Sequence, residues 1–476
     1  MSYLDLLQQN NTITNTKGGQ YYASSYNSNL DLFAGLSRFD DDSKMISFFS
    51  NALSEDKDLA LANLLYYLDI RGGKGERRIF KVLFKHLCKN YPNEALRILP
   101  FISNLGRYDY ILAGLSTPIQ NDVISLIKNQ LSEDLNSDHP SLLAKWLPSH
   151  RTHNNNNAQA KIIYTALGMK ESEYRKLLSK LRGKLNIVEK NLTTRSYDNI
   201  NFEHVPSKAM LKYDNSFESN IKERYNDYLD SLKKGDVKVN TAGLFPYEIV
   251  RKIYREDKPN AELLDAMWKG QKDFINDLNT NVLVVADTSG SMTCCGGLPY
   301  AASLSLAIYT AERNTGVFKD TFITFSSNPK LQTIKGANIV EKVNNIQTII
   351  ANTNIDKVFK LLLDTAVNNK VAESEMPSHI VIVSDMEFDD GVYSKGGTNF
   401  KGWKEAFNNS GYNLPKIIFW NVAAYTEGFP VTKYDKDCIM VSGFSTSLFE
   451  HILTLEDYSP VNEMMVALEK YLNMLK

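Results

Sequence analysis

The feature that most restricts what this 476-residue chain can fold into is a change of hydrophobic period near residue 278. From about Asp40 to Phe274, apolar residues recur at three- and four-residue spacing, the mark of helices with one buried face. The run Glu76–Asn90 is the clearest case, with Ile79, Val82, Leu83, Phe84 and Leu87 on one side. Glu171–Leu185, Asn215–Lys234 and Pro246–Glu256 read the same way. After residue 278, short unbroken apolar runs alternate with amphipathic stretches. The runs are Asn281–Ala286, Thr321–Phe325, Ile380–Ser384, Lys416–Trp420 and Cys438–Val441. Strands buried on both faces look like this, and strand–helix alternation predicts a mostly parallel sheet. The pattern therefore divides the chain into an N-terminal arm (1–39), an all-α domain (40–277) and a Rossmann-like α/β domain (278–476). Many helices with short connectors favour a helical array over a compact bundle, although no strict repeat period is visible.

Composition adds boundaries rather than a fold. Hydrophobic residues form 43% and charged residues 23% of the chain, ordinary for a globular protein. No window approaches the roughly 20 apolar residues that span a bilayer, and the first residues lack the pattern of a secretory leader. Cys88, Cys294, Cys295 and Cys438 form no disulfide framework, which points to reduced thiols and a cytoplasmic location. The net charge of −1 conceals an asymmetry. Residues 71–195 carry 21 Lys and Arg against 10 Asp and Glu, whereas residues 279–476 carry 16 against 21. A basic block of this kind suits a polyanionic partner, although solvated helix faces also produce such runs.

The first apolar run leads directly into Asp287-Thr288-Ser289-Gly290-Ser291-Met292. In an open parallel sheet, sites form at the carboxyl ends of strands. A carboxylate there, followed by two hydroxyls at alternate positions of a tight turn, is an oxygen donor set suited to a hard divalent cation. Mg²⁺ is the expected ion, with Mn²⁺ or Ca²⁺ as alternatives. Having few charged ligands, such an ion stays electrophilic and can accept a carboxylate from a partner. The same string also serves as a plain strand-to-helix cap, and only its position after a buried strand argues for metal.

These residues resemble the metal-ion-dependent adhesion site of the von Willebrand A family. The resemblance implies two further ligands, a Thr from a later loop and an Asp after the fourth strand. Thr353 and Asp385 match them in order along the chain. The Gly usual near that Thr is replaced by Asn352, and Thr398, in Gly396-Gly397-Thr398-Asn399, competes for the role. Because it follows Asp385, Thr398 is expected to cap the next helix instead. Cys294 and Cys295 lack the spaced partners a zinc site needs and read as small turn residues.

Within the basic block, Arg77, Lys81, Lys85 and Lys89 recur every fourth residue and so line one helix face. Arg71, Lys74 and Arg78 extend the stripe, and Arg175, Lys176, Lys180 and Arg182 form a second cluster. Such a face could track a phosphate backbone, and its plain alternative is the solvated side of an amphipathic helix. The glycine loop Arg71–Glu76 lacks phosphate-loop spacing and reads as a helix–helix turn with Arg71 and Lys74 facing a partner. The seven histidines are scattered, so no acid–base or nucleophilic arrangement can be argued, and the chain is expected not to be an enzyme. The carboxylates around Asp385 could suit a two-metal nuclease, but Asp385 is already accounted for and the others read as loop surface.

Longer strings, among them Asp69-Ile70-Arg71-Gly72-Gly73-Lys74-Gly75-Glu76-Arg77-Arg78, Leu143-Ala144-Lys145-Trp146-Leu147-Pro148-Ser149, Ser384-Asp385-Met386-Glu387-Phe388-Asp389 and Pro415-Lys416-Ile417-Ile418-Phe419-Trp420-Asn421, resemble the domain-of-unknown-function family 2828 over most of the chain. That family is similar in architecture to the Ro autoantigen proteins, a helical-repeat (HEAT-like, TROVE) ring followed by a von Willebrand A domain. The resemblance implies binding of small structured RNA and RNA ends by the helical part. Without RNA, the same parts would make a protein–protein adaptor that grips a partner carboxylate through the metal.

Overall fold

In the computed structural model, described over residues 12–15, 17–149, 157–185, 187–275, 281–324, 329–346, 354–389, 398–423 and 428–476, the apolar runs beyond residue 278 become one six-stranded sheet. Its strands are β1 (Val282–Ala286), β2 (Thr321–Thr324), β3 (Lys330–Thr333), β4 (His379–Ser384), β5 (Lys416–Asn421) and β6 (Cys438–Ser442). The spatial order is β3-β2-β1-β4-β5-β6. Every pairing is parallel except β2 with β3. β1, β4 and β6 are buried at every position, which is why their sequences are unbroken apolar runs. β3 has no such run and gave no sequence signal, because it is an edge strand exposed along most of its length.

The chain forms two compact units, each drawn from separate stretches of sequence. One comprises Met1–Lys57 and Pro206–Lys470, the other Asp58–Val205 and Tyr471–Lys476. The change of pattern near residue 278 thus marks where the strands of this sheet begin, while the helices from Ser207 to Lys269 belong to the same unit as the sheet. Helix Pro246–Arg255 buries Tyr247, Ile249, Val250 and Ile253 and packs along helix Cys294–Arg313, which is itself almost wholly buried. The single helix expected over Asn215–Lys234 is two, Ser207–Asn220 and Lys222–Lys234, because Ile221 leaves helical backbone geometry.

The first described residues are packed down on the sheet unit. Thr12–Thr14 pairs antiparallel with Gln20–Tyr22. Helix Ser28–Gly35 follows, and Ser442 at the end of β6 donates to the Phe33 carbonyl.

The other unit is α-helical, with no strand among its described residues. Helix Arg77–Asn90 buries Ile79, Phe80, Leu83, Phe84, Leu87 and Cys88, leaving Arg77, Lys81, Lys85 and Lys89 exposed on the opposite side. The glycine loop before it is fixed from within. The Asp69 carboxylate accepts from the Arg71 and Gly72 amides and from the Tyr471 hydroxyl. Lys74 and Glu76 donate their amides to the Tyr66 and Tyr67 carbonyls. This fold-back overturns the expectation that Lys74 faces a partner. Its side chain is fully buried, with the ammonium 4.5 Å from the Tyr67 ring centroid and 5.7 Å from that of Tyr66. Arg71 remains exposed.

Among the described residues, no helix is long and apolar enough to cross a membrane. Cys88, Cys294, Cys295 and Cys438 are free, the first and last buried.

Gly73 is where the fold-back is tightest, since a β-carbon there would lie 2.2 Å from the Tyr66 carbonyl oxygen. Gly73→Ala is therefore expected to cost about 3 kcal/mol or more, because backbone rather than a flexible side chain must move. Chemical denaturation followed by circular dichroism measures it.

Candidate metal centre and basic face

β1 and β4 are neighbours in space although β2 and β3 separate them in the chain. Connections leave this pair in opposite directions, which opens a crevice at the carboxyl ends of the two strands. Asp287 and Asp385 each stand immediately after one of these strands. Both are fully buried.

The Asp287 amide continues the ladder by donating to the Val383 carbonyl at 2.9 Å. Its carboxylate accepts from the Ser289 amide at 2.8 Å and from the Ser384 hydroxyl at 2.7 Å. Ser384 also reaches Asp385 Oδ1 at 3.4 Å, so one hydroxyl joins the two acids. Asp385 Oδ1 accepts the Glu387 amide at 3.0 Å, whereas Oδ2 is buried with no hydrogen-bond partner among the described residues. Burial first, and the charge of Asp385 second, push the Asp287 carboxyl up to about 6, against the opposing pull of the Ser289 amide and the Ser384 hydroxyl. Two buried acids this close favour a cation between them.

The serines bear on the choice between a cap and a ligand set. Ser289 occupies the N-cap position of the short 3-10 turn Gly290–Thr293, yet its side chain makes no cap bond. Its hydroxyl lies instead 3.0 Å from that of Ser291, so two neutral oxygens converge within the turn. A divalent cation fits this donor set of two carboxylates, one with an orphaned oxygen, and two paired hydroxyls. Thr353 lies outside the described residues. Thr398 does sit at the N-cap of helix Asn399–Asn409 and accepts the Gly402 amide on its carbonyl. Among the described residues its buried hydroxyl makes no cap bond and has no partner, so the expected side-chain cap is not seen there. The Thr288 hydroxyl is likewise buried, with no partner among the described residues. Among the described residues no cluster of three or more His, Cys, Asp or Glu could hold a metal. Glu387 is engaged by Lys17 at 3.8 Å, and the backbone of Asp389 bridges to Gly18.

Ser384 and Tyr21 were not picked out by sequence reasoning. Ser384 carried a faint signal, a hydroxyl closing an apolar run beside an acid. Tyr21 carried none, because its contacts cross more than 360 residues of chain. Its hydroxyl donates to the Met386 carbonyl at 2.7 Å and accepts from the Phe388 amide at 3.0 Å. Met386, directly after Asp385, is a buried non-glycine residue at φ 65°, a left-handed conformation that persists only when its surroundings enforce it. Asn15 adds a bond to the Phe388 carbonyl at 2.8 Å. The N-terminal pair of strands therefore holds the loop that carries Asp385.

The basic residues of the helical unit separate into two groups. Arg71, Arg77, Arg78, Lys81, Lys85, Arg175, Lys176 and Lys180 are exposed. Lys81 pairs with Asp109 at 3.0 Å, an acid that Arg107 also holds through two 2.8 Å bonds. Lys74 and Arg182 do not belong to an open face. Lys74 is internal, as described above. The Arg182 guanidinium donates at 2.8 Å to the Ala144 carbonyl, the Leu147 carbonyl and the Ser149 hydroxyl, an internal clasp that occupies its fork. Trp146 is covered by the Arg107 guanidinium, 3.5 Å from its ring centroid. Tyr174 is buried, with its hydroxyl on the Pro148 carbonyl.

Removing the Tyr21 hydroxyl strips two loop groups of their partner at once. Tyr21→Phe is expected to lower stability by about 1–3 kcal/mol. It should also weaken any Mg²⁺-dependent rise in thermal midpoint, since the loop bearing Asp385 loosens. Melts with and without Mg²⁺ separate the two effects.

Comparison with known proteins gives matches to two families, both described as domains of unknown function: DUF2828 over residues 122–284 and DUF7788 over residues 281–472. An uncharacterized protein of Acanthamoeba polyphaga mimivirus is 31% identical over 501 residues, covering 95% of this chain and 86% of its own. Likeness at that level along nearly the whole of both chains decides membership: the chain belongs to one family with this viral protein, and its residues 122–284 carry the domain of unknown function 2828.

Proposed function

We propose that the protein is a non-catalytic RNA-binding scaffold, in which an α-helical unit of the HEAT-like, TROVE-like kind takes RNA on its basic face. In this reading the α/β unit is a von Willebrand A-type domain with a metal-ion-dependent adhesion site. The observation that carries the metal half is the buried pair Asp287 and Asp385, joined by Ser384, with one carboxylate oxygen left without a partner among the described residues. Asp287, Ser289, Ser291 and Asp385 would hold Mg²⁺, Mn²⁺ or Ca²⁺, with Thr353 as the expected later-loop ligand. When bound, the ion would supply an electrophilic position for an oxygen of a partner. Support for the RNA half is the exposed set Arg71, Arg77, Arg78, Lys81, Lys85, Arg175, Lys176 and Lys180.

The alternative is a protein–protein adaptor that uses the metal to grip a partner carboxylate and binds no RNA. Two observations favour it: Lys74 and Arg182 are withdrawn into the helical unit, and Lys81 is paired with Asp109. Lys85 and Lys176 are the better probes, being exposed. Lys85→Glu with Lys176→Glu should weaken RNA binding and lower the salt dependence by about one counterion for each lost contact. Unchanged binding, or no RNA binding by the wild type at low salt, would favour the adaptor.

The metal assignment has its own signature. Asp287→Asn removes the repulsion between the acids, so without Mg²⁺ the variant should be at least as stable as the wild type. With saturating Mg²⁺ the order should reverse, because only the wild type gains the several degrees that ligand binding supplies. A purely structural turn would lose stability equally in both conditions.

A further inference from the structure

We infer that Arg251 and Arg255 form a binding site for a phosphate group, distinct from the carboxylate–hydroxyl centre and lying against the segment that follows it. The two arginines are four residues apart on helix Pro246–Arg255, so they share a face. Facing them is the kink that opens helix Cys294–Arg313, where Cys295, Gly296 and Gly297 take φ values of 53°, 69° and 70° in succession. A β-carbon on Gly296 would lie 2.2 Å from Arg255 Nη2 and 3.7 Å from Arg251 Nη2. Both guanidinium groups therefore lie close to one glycine, and any side chain there would collide with Arg255.

Convergence of guanidinium groups is unfavourable without an anion, because arginine does not discharge at accessible pH. Among the described residues neither Arg251 nor Arg255 makes an ion pair, and Arg251 Nε is buried with no hydrogen-bond partner. The acids nearby are taken. Glu248 pairs with Lys208 at 3.1 Å and accepts the Phe245 amide, and Glu256 holds Lys252 at 3.0 Å. Burial first and the charge of Arg255 second hold Arg251 below its ordinary value, with Arg38 adding to them and Tyr247 and Glu248 opposing. Two guanidinium groups brought near one glycine match the several acceptor oxygens of a phosphate, and its double charge answers both arginines. A single carboxylate would leave charge uncompensated. Tyr254, between the arginines in sequence, presents an exposed ring beside Gly297, so the phosphate of a nucleotide could be held together with its base.

The site does not depend on the RNA reading of the helical unit, and the test keeps them apart. Calorimetric titration with inorganic phosphate should show binding to the wild-type chain. The double variant Arg251→Gln with Arg255→Gln should lose at least tenfold in affinity while keeping its thermal response to Mg²⁺. Should that variant fail to fold, Arg255→Lys retains charge but loses the fork, and should still weaken phosphate binding severalfold. A short oligonucleotide with a 5′ phosphate that binds the wild type more tightly than its 5′-hydroxyl form, but binds the variant equally, assigns the phosphate to nucleic acid. Equal binding of the two oligonucleotides, with inorganic phosphate still bound, assigns a free phosphate. Absence of phosphate binding, or full retention of it in well-folded variants, overturns the inference.

Discussion

Two carboxylates buried side by side are the constraint around which the sheet unit is arranged. Isolated buried acids avoid charge by taking up protons, and the upward shift of Asp287 shows that tendency. The surrounding structure opposes it only in part. Ser384 donates to Asp287 and leans on Asp385, and the amides of Ser289 and Glu387 each donate to one carboxylate. One oxygen of Asp385 is left unanswered in a protein interior where such atoms are rare. In the proposed reading a divalent ion would answer that oxygen and the repulsion together.

The backbone around the pair is organised to keep it in place. β1 and β4 are paired over five residues, which fixes the two strand ends at the same height. Beyond β4 the chain turns through Met386 in a left-handed conformation, with its carbonyl pinned by Tyr21. An N-terminal segment that reads as a polar arm is thus part of the support for a site hundreds of residues away. The same edge carries the turn at Cys295–Gly297, over which Arg251 and Arg255 converge. Ser291 and the turn at Cys295–Gly297 are separated by only a few residues, so the proposed cation and phosphate sites would share one short stretch.

What could be read in the sequence follows from the range of the interactions involved. Local periodicity was enough for β1, β4, β5 and β6, for the Arg77–Asn90 helix, and for placing Asp287 and Asp385 at strand ends. It failed for β3, whose Lys330-Leu331-Gln332-Thr333 is exposed at the edge and leaves no apolar run. It also failed wherever a partner lies far along the chain. Lys74 reads as a surface cation because its sequence neighbours are glycines and charges, yet Tyr66 and Tyr67 enclose it. Arg182 sits in a basic run, but three acceptors from the Ala144–Ser149 stretch occupy its guanidinium. Helices Pro246–Arg255 and Ala261–Lys269 have an ordinary helical pattern that gives no hint of membership in the sheet unit. That is a matter of tertiary packing alone.

The central claim is that the carboxyl ends of β1 and β4 hold one divalent cation, and anomalous diffraction from crystals soaked in Mn²⁺ addresses it directly. A single strong peak is predicted in the crevice between Asp287 and Asp385, about 2.0–2.3 Å from the hydroxyls of Ser289 and Ser291. An empty crevice at saturating Mn²⁺, or an ion bound only elsewhere, would contradict the account.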